Sequence, residues 1–412
     1  MVKSPFLVSL IGKVVAKSSR LRGGHGSALP GLVAERIAPN FLKDSLSKLP
    51  RGVVVISGTN GKTTTTKMTV ELLQTAGLKV LTNPSGSNFT RGVTSSIIMA
   101  MRRGKLDADI AVVELDEAHA VHFVNQIAPR YALFLNVLQD QTERFGGIDK
   151  TAKLLEKVAT KVTDGVILNR DNPIAEIAGS IKVPIKFFGH DPKLDDQLPS
   201  DNEMLSGGHK NNQPVDVELV SLSKNKAEYR IDGRIYEASL QLSGVHNIIN
   251  AAAALALTRM ILGKKANNKT LVAALSKVKP AFGRGEIIKI GGYNLDLILI
   301  KNPSSFRSAL SSQHNPEVDA IMIAINNAAA DGRDVSWLKD VNFATLNHVK
   351  VVSGAKASDM AKRLRSDGVK VGTVESDIKK ALTQFLQESG DKQIFCNYTA
   401  MLEIRGLLEK LA

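Results

Sequence analysis

An α/β fold with two successive sheet domains is the class that this sequence predicts, and three observations support it. Short runs of Val, Ile and Leu alternate with helical segments along most of the 412 residues, as expected for sheets covered by helices. A glycine-bracketed turn joins the first strong apolar run to a helix. The apolar fraction of 43% is sufficient for the cores of two or three domains.

Changes in composition divide the chain into three parts. Residues 1–50 are a basic, partly helical lead-in, and residues 51–279 are a first sheet domain. Within that domain, a polar stretch followed by alternating residues predicts a small antiparallel β insert at about 190–242. We expect Pro280–Glu286 to be a hinge that carries Arg284, and a second, Rossmann-like α/β domain to occupy residues 280–412.

The glycine-bracketed turn has the composition of a phosphate cradle. It lies between an apolar strand over Val53–Ser57 and a helix predicted near residues 63–76. In such a cradle the backbone N–H groups bind phosphate oxygens, a lysine reaches the terminal phosphates and a hydroxyl binds Mg²⁺. The residues expected to bind a nucleotide here are Gly58, Thr59, Asn60, Gly61, Lys62, Thr63 and Thr64.

One position of this turn departs from the general phosphate-loop pattern, because Ile56 stands where the first glycine is expected. The shorter Gly-Thr-Asn-Gly-Lys-Thr form is more particular than the general pattern. An ordinary glycine turn between a strand and a helix is the simpler interpretation, but it leaves Lys62 without a structural use.

Carboxylates follow a third predicted strand, Ile110–Val113, at the edge of the sheet where α/β proteins bind ligands. Glu114 leaves that strand first, so we expect it to bind Mg²⁺ with Thr63, directly or through water. Asp116 and Glu117 have a simpler explanation as an acidic turn that caps the next helix.

Two further features are candidate sites. Asn247 and Asn250 are three residues apart in the first turn of a long Ala/Leu helix, so both face one side and could contact an adenine. The loop over residues 326–340 contains the only tryptophan, Trp337, and the aspartates Asp331, Asp334 and Asp340. Such a loop is a functional candidate, although an Asp-Gly turn packed on the tryptophan is a competing explanation.

Charge, cysteine content and hydropathy limit the possible functions. The net charge of +14 is explained by an anionic partner or surface, or equally well by a basic surface exposed to solvent. No basic stretch interleaved with aromatic residues predicts nucleic-acid binding. A single cysteine, Cys396, excludes an internal disulfide and a Cys-rich zinc site. No window predicts a transmembrane helix. The segment 6–16 lacks the features of a signal peptide, and could pack on the protein or lie on an anionic membrane.

Four motifs, taken in order, resemble those of the Mur ligase superfamily. They lie at residues 58–64, 114–117, 244–250 and 283–286. Enzymes of that superfamily use ATP and Mg²⁺ to convert a carboxylate into an acyl phosphate, which an amine then attacks. The roles that the resemblance implies are terminal-phosphate binding for Lys62, Mg²⁺ binding for Thr63 and Glu114, adenine contact for Asn247 and Asn250, and binding of the transferring phosphoryl group for Arg284.

Further motifs resemble one subfamily, MurT, over nearly the whole chain. They lie at residues 28–31, 63–66, 86–88, 140–141, 300–303, 330–337 and 397–403. The resemblance implies a cytoplasmic enzyme at the inner face of the cell membrane that amidates the D-glutamate α-carboxylate of the lipid II stem peptide to D-isoglutamine. It also implies a heterodimer with a GatD-like glutaminase that supplies ammonia. The C-terminal domain would contact this partner and lend an aspartate to its Cys–His pair, and Asp331, Asp334 and Asp340 are the candidates.

Some residues depart from the family pattern. Members usually carry a four-cysteine zinc ribbon in the central domain, and this chain has one cysteine in its last domain, so no zinc is expected. Asn327 and Lys339 stand where an acid and an aromatic residue are common, next to the expected glutaminase contact.

Two other functions are alternatives to amidation. The first is an amino-acid-adding Mur or folylpolyglutamate-type ligase, but the segment 169–171, Asn-Arg-Asp, offers no lysine of the kind that many of those enzymes carbamylate. The second is a nucleotide-binding scaffold without catalysis, which would require loss of a chemistry whose residues are all present.

Overall fold

The computed structural model describes residues 4–21, 28–83, 89–138, 147–198, 213–223, 226–242, 244–279, 284–311, 318–328, 331 and 335–410. It has two compact units, the first comprising Met1–Leu138 with Phe145–Lys279 and the second including Pro280–Ala412. Each unit is a largely parallel sheet with helices on both faces. The α/β class predicted from the sequence is therefore confirmed.

A nine-stranded sheet is the centre of the first unit. Its strands lie in the order β2-β3-β1-β4-β5-β6-β7-β8-β9 and are parallel from β2 to β7. Because β1 lies between β3 and β4, the strand order reverses beside β1, which is where sheets of this kind bind ligands. The strands are β1 (Val53–Ser57), β2 (Val80–Thr82), β3 (Ile110–Glu114), β4 (Tyr131–Phe134), β5 (Gly165–Asn169), β6 (Ile185–His190), β7 (Val217–Ser223), β8 (Lys226–Ile231) and β9 (Arg234–Ser239).

Helices cover both faces of this sheet, which explains why β1 is apolar at every position. Val53 and Val55 belong to the core beneath α1–α3 and α5–α7, and Val54 and Ile56 to the core beneath α4, α8 and α9. The helices are α1 (Pro5–Leu21), α2 (Leu29–Ile37), α3 (Phe41–Leu46), α4 (Lys62–Thr75), α5 (Thr90–Ala100), α6 (Glu117–Val124), α7 (Ile148–Ala159), α8 (Val245–Leu262) and α9 (Asn268–Ala274). Helices α1–α3 thus share the first unit's core.

The antiparallel strands expected between residues 190 and 242 continue the main sheet. Strand β7 pairs in parallel with β6, and β8 and β9 extend the same sheet in antiparallel hairpins. Leu219 and Tyr229 are buried, and they belong to the same core as α8. The β insert is therefore an extension of the sheet, and the polar segment 199–212 lies outside the described residues.

Helix α8 is the most deeply buried helix of this unit's core. The prediction that no segment has the length and hydropathy of a membrane span is wrong for Val245–Lys265. However, 72% of its apolar window is buried inside the protein. Burial of this kind is typical of the core helix of a sheet domain.

A six-stranded sheet forms the second unit, in the order β10-β11-β15-β12-β13-β14. All its neighbouring strands are parallel except β10 and β11. Its strands are β10 (Arg284–Ile290), β11 (Tyr293–Leu299), β12 (Ala320–Ala324), β13 (His348–Ser353), β14 (Lys370–Glu375) and β15 (Lys392–Cys396). Its helices are α10 (Pro303–Ser311), α11 (Ala357–Ser366), α12 (Ile378–Phe385) and α13 (Tyr398–Leu408).

Strand β10 corrects the prediction of a hinge over Pro280–Glu286. Arg284 is the first residue of that strand, which pairs with β11 through a turn at Gly291 and Gly292. Both glycines have positive φ, 58° and 85°, a conformation that suits a tight hairpin. Residues 280–283 lie outside the described residues.

Candidate active site

Two glycines give the loop between β1 and α4 its shape. Gly58 has φ +133° and Gly61 has φ +87°, values that L-residues rarely adopt. A Cβ on Gly58 would lie 3.0 Å from the backbone N and O of Asn136, and a Cβ on Gly61 would lie 2.5 Å from Oδ1 of Asn250. The loop therefore follows a path that only glycine permits at these two positions.

Asn136, just beyond β4, holds this loop from the neighbouring strand. Its Oδ1 accepts a hydrogen bond from Asn60 N at 2.9 Å, and its Nδ2 donates to Asn60 O at 3.2 Å. The backbone of Thr59 also donates to Asn136 O at 3.0 Å. These bonds fix the loop before any ligand arrives, which reduces the ordering cost of phosphate binding.

Lys62 opens α4 and is buried against the loop. Its Nζ donates to Gly58 O and to Thr59 O, the latter at 3.3 Å. Oε1 of Glu117 lies 3.7 Å from the same Nζ, and both side chains are 7% exposed. The ammonium group is thus held inside the cradle by the loop carbonyls and one carboxylate.

Thr63 and Glu114 meet beside Lys62. The Thr63 hydroxyl donates to Glu114 Oε1 at 2.7 Å, and both residues are buried. Asn83, after β2, fixes the backbone of Glu114, since Glu114 N donates to Asn83 Oδ1 and Asn83 Nδ2 donates to Glu114 O, both at 2.9 Å. Thr64, the next residue of α4, is also buried.

The donor set at this place fits a magnesium nucleotide. A hydroxyl and a carboxylate oxygen are hard ligands that suit Mg²⁺, which commonly takes its other ligands from water and phosphate. Within the described residues, no group of three or more His, Cys, Asp and Glu side chains could hold a metal by itself. The hydroxyl of Thr63 and the carboxylate of Glu114 therefore fit a magnesium ion that takes its other ligands from water and phosphate.

The two amides at the start of α8 lie near this loop. Asn247 and Asn250 are 2% and 6% exposed, and the amide of Asn250 is the group that a Cβ on Gly61 would strike. The amide of Asn250 therefore lies directly beside the loop at Gly61. Contact of either amide with adenine stays a prediction.

Sequence reasoning missed three residues that shape the site. Asn83 and Asn136 come just after strands whose carboxyl ends meet at one rim, and that position was the available indication. Glu117 was interpreted as a helix-capping acid. In the structure Asp116 caps α6, accepting from Ala118 N, while Glu117 faces Lys62.

A cluster of charged side chains follows β5, at the segment 169–171 that has no lysine. His190 is held between Asp171 and Asp195, with Nδ1 3.0 Å from Asp171 Oδ2 and Nε2 2.8 Å from Asp195 Oδ1. Arg170 donates to Asp171 at 2.7 Å and lies 3.8 Å from Glu218. The cluster joins β5, β6 and β7 by charge and leaves no lysine at this position.

The candidate residues of the second unit differ in their surroundings. Asp331 accepts from Thr399 N at 2.9 Å, from the Thr399 hydroxyl, and from Ala328 N at 3.2 Å. Asp340 is exposed at the end of a short helix, and its carbonyl accepts from Arg307 at 3.0 Å. Asp334 lies outside the described residues, as does the side chain of Arg284.

Comparison with known families and proteins gives matches along almost the whole chain. The Mur ligase middle domain family matches residues 56–258, and the MurT ligase C-terminal family matches residues 299–401. The MurT subunit of lipid II isoglutaminyl synthase (glutamine-hydrolyzing) from Streptococcus pneumoniae is 32% identical, over 98% of this chain and 97% of that protein. The subunit of the same name from Staphylococcus aureus is 26% identical, over 95% and 94%.

Solved structures of Mur ligases share the fold. MurF from Acinetobacter baumannii has a TM-score of 0.69 at 20% identity, with 92% of this chain and 80% of that chain covered. MurF from Thermotoga maritima, solved in complex with ADP, has a TM-score of 0.68 at 18% identity, with 92% and 83% covered.

Proposed function

The chain belongs to the MurT family of Mur ligases, and we propose that it amidates the D-glutamate α-carboxylate in the stem peptide of lipid II. The carboxylate takes the terminal phosphoryl group of ATP and becomes an acyl phosphate, with ADP as the product. Ammonia then attacks the acyl carbon and phosphate leaves, so that D-isoglutamine forms. One carbon–nitrogen bond is made for each ATP converted to ADP and phosphate.

The contact of Thr63 with Glu114 beside Lys62 is the observation that carries this proposal. It joins a hydroxyl, a carboxylate and an ammonium group at the point where the strand order reverses. Phosphoryl transfer depends mainly on positioning and on charge stabilisation. These three groups can position the phosphates and stabilise their charge. The nucleophiles of the reaction are the substrate carboxylate and ammonia, so the protein need not supply one.

Each residue has a defined task in the proposed site. The backbone of the loop and Lys62 bind phosphate oxygens, and Asn60 stays fixed by Asn136 while they do so. Thr63 and Glu114 hold Mg²⁺, which neutralises phosphate charge when it is bound. Arg284 is assigned to the transferring phosphoryl group, and Asn247 and Asn250 to the adenine side of the nucleotide.

A GatD-like glutaminase is the proposed partner, in a heterodimer. We assign nucleotide binding to residues 51–279 and the contact with this partner to residues 280–412. Asp340 fits the role of lent acid better than Asp331, because Asp340 is exposed whereas both carboxylate oxygens of Asp331 accept bonds within the unit. A lent carboxylate would orient the partner's histidine.

The proposed place of action is the cytoplasm, at the inner face of the cell membrane where lipid II presents its stem peptide. Zinc and nucleic acid have no part in this proposal. The basic charge of +14 suits a substrate that carries pyrophosphate and lies in an anionic membrane.

Substitution of Lys62 tests the site. In the complex with the glutaminase, Lys62→Ala should lower lipid II amidation at least about 100-fold with either glutamine or ammonium as nitrogen source, because the phosphoryl group loses a cation. Lys67→Ala, an exposed lysine of the same helix, should retain the activity. Mass spectrometry of the stem peptide measures the product.

Three outcomes would overturn the assignment. Full amidation by the Lys62→Ala protein would exclude this loop as the site of phosphoryl transfer. ATP turnover by the unaltered protein that adds an amino acid, and not ammonia, to a Mur substrate would place it among the amino-acid-adding ligases. ATP binding without any product would identify a scaffold.

A further inference from the structure

The outer face of helix α1 exposes more large apolar side chains than any other described element. Phe6, Leu7, Leu10, Ile11 and Val14 are 47%, 47%, 49%, 37% and 59% exposed. No other helix or strand that the structure describes exposes more than one such side chain. Their spacing places all five on one side of the helix, so they form a continuous patch, which we name the α1 face.

The opposite side of α1 is packed on the domain and fixes the direction of the α1 face. Val8 and Ser9 are buried, and a Cβ on Gly12 would lie 2.8 Å from the side chain of Ile98 in α5. Lys13 Nζ donates to Met101 O at 2.5 Å. The inner side of α1 is therefore already packed on its own domain, and the α1 face points away from that core.

Positive charge lies near both ends of the α1 face. The first 34 residues contain five Lys and Arg residues and no Asp or Glu, and Lys17 is exposed one turn beyond Val14. A turn with exposed Arg102, Arg103 and Lys105 lies against the start of α1, because a Cβ on Gly104 would come within 2.9 Å of the backbone of Phe6.

We propose that the α1 face and the turn at 102–105 are a docking surface for an anionic lipid bilayer. Apolar side chains flanked by cations and free of acids are the composition of helices that lie in a membrane interface. Charge complementarity therefore favours a bilayer over a protein groove, since α1 and the turn at 102–105 contain no carboxylate, and Asp107, two residues beyond the turn, is paired with Lys79. The proposal goes beyond the amidation reaction and can be tested without lipid II.

Vesicle binding of the full-length chain tests the apolar part. Phe6→Ser with Leu10→Ser and Val14→Ser should lower partitioning onto phosphatidylglycerol-containing vesicles at least about tenfold, because buried apolar area is lost. The matched control is Ile235→Ser with Ile287→Ser and Val374→Ser, which removes three other exposed apolar side chains. The control should bind as the unaltered chain does, and equal loss in both proteins would overturn the proposal.

A second pair of proteins tests the charge. Arg102→Gln, Arg103→Gln and Lys105→Gln together take the net charge from +14 to +11, and so do Lys264→Gln, Lys265→Gln and Lys269→Gln, since each set removes three charges. The first set should weaken binding to anionic vesicles about tenfold more than the second. Equal effects would show attraction by total charge only and would contradict a defined surface.

The remaining outcomes are also decisive. Equal binding of the unaltered chain to vesicles of phosphatidylcholine alone would contradict the anionic preference. Vesicle binding that survives the three α1 substitutions, with loss of the complex with the glutaminase, would identify the α1 face as a protein interface. The Lys62→Ala protein should bind vesicles normally, so failure of this proposal is separable from failure of the proposed reaction.

Discussion

At the scale of single residues, His190 is a side chain whose charge state affects the stability of the fold. Burial opposes its charged form, but the hydrogen bonds and charges of Asp171 and then Asp195 outweigh burial, so the pKa of His190 is raised above its ordinary value. Burial likewise opposes ionised Asp171, yet bonds from His190 and Arg170 hold the pKa of Asp171 below its ordinary value. Each partner thus stabilises the charged form of the other.

This pair predicts a pH-dependent contribution to folding. Because the pKa of His190 is raised, its charged form stabilises the fold below the unfolded pKa of about 6.5, and this stabilisation is lost as the pH rises through the folded pKa. Because the pKa of Asp171 is lowered, its charged form stabilises the fold above the unfolded pKa of about 3.9. His190→Gln should therefore lower the free energy of unfolding by about 1–3 kcal/mol near pH 5.5 and by less at pH 9. Denaturant unfolding at several pH values measures the difference.

The matched control for this experiment is Asp195→Asn, because the Asp195 side chain is 65% exposed. Its effect should stay below about 1 kcal/mol. A loss caused by His190→Gln that is constant from pH 5 to about 9 would contradict the charged pair.

The site residues show what the sequence alone could predict. Lys62 and Thr63 were predicted because their function depends on neighbours in the chain, and Glu114 because it ends a strand. Asn136 and Glu117 depend on the order of β3, β1 and β4, which no local pattern specifies. Two residues that meet only across the sheet could be identified only after its order was known.

At the scale of elements, close packing of α2 on α5 depends on one glycine. Gly31 N donates to the Ser95 hydroxyl at 2.9 Å. A Cβ on Gly31 would lie 2.0 Å from the carbonyl oxygen of Arg91. The helices can therefore approach this closely only because position 31 has no side chain, which accounts for the glycine in the motif at 28–31.

Gly31→Ala should destabilise the first unit by about 1–3 kcal/mol, because the two helices must separate or distort. The matched control is Gly179→Ala in the same unit, where an added Cβ meets nothing within 4 Å. That change should stay within about 0.5 kcal/mol. Thermal unfolding compares the two proteins, and equal stabilities would show that α2 and α5 adjust without strain.

Sheet edges were the elements least well predicted from sequence. A hinge was predicted over Pro280–Glu286, but Arg284–Ile290 is a strand that pairs with β11. Strands β7–β9 were expected as an insert because a polar segment precedes them. In both cases the composition of the segment did not determine how an edge strand pairs with its sheet.

At the scale of the whole molecule, the proposed reaction draws residues from both units. In the proposal, the first unit binds the nucleotide, and the second supplies Arg284 and the aspartate for the glutaminase. Asp331 joins the segment after β12 to the start of α13, whereas the exposed carboxylate of Asp340 is available to another protein.

Asparagine substitutions should separate these roles. In the complex with the glutaminase, Asp340→Asn should lower glutamine-dependent amidation about 100-fold or more, since the partner's histidine loses its acid, and should spare ammonium-dependent amidation. Asp331→Asn should impair both by destabilising the second unit. Parallel assays give the ratio of glutamine-dependent to ammonium-dependent amidation for each protein. Full glutamine use by the Asp340→Asn protein would exclude Asp340 as the acid supplied to the glutaminase.

Cys396 has a practical consequence for studying all of these questions. It is the only cysteine of the chain, it is fully buried in β15, and burial raises the pKa of its thiol. Thiol reagents act on accessible thiolates, so Cys396 should not react in the native fold. An added exposed cysteine would therefore be labelled selectively. A single Ser18→Cys change on α1 would place a fluorescent probe beside the α1 face with the natural cysteine left in place.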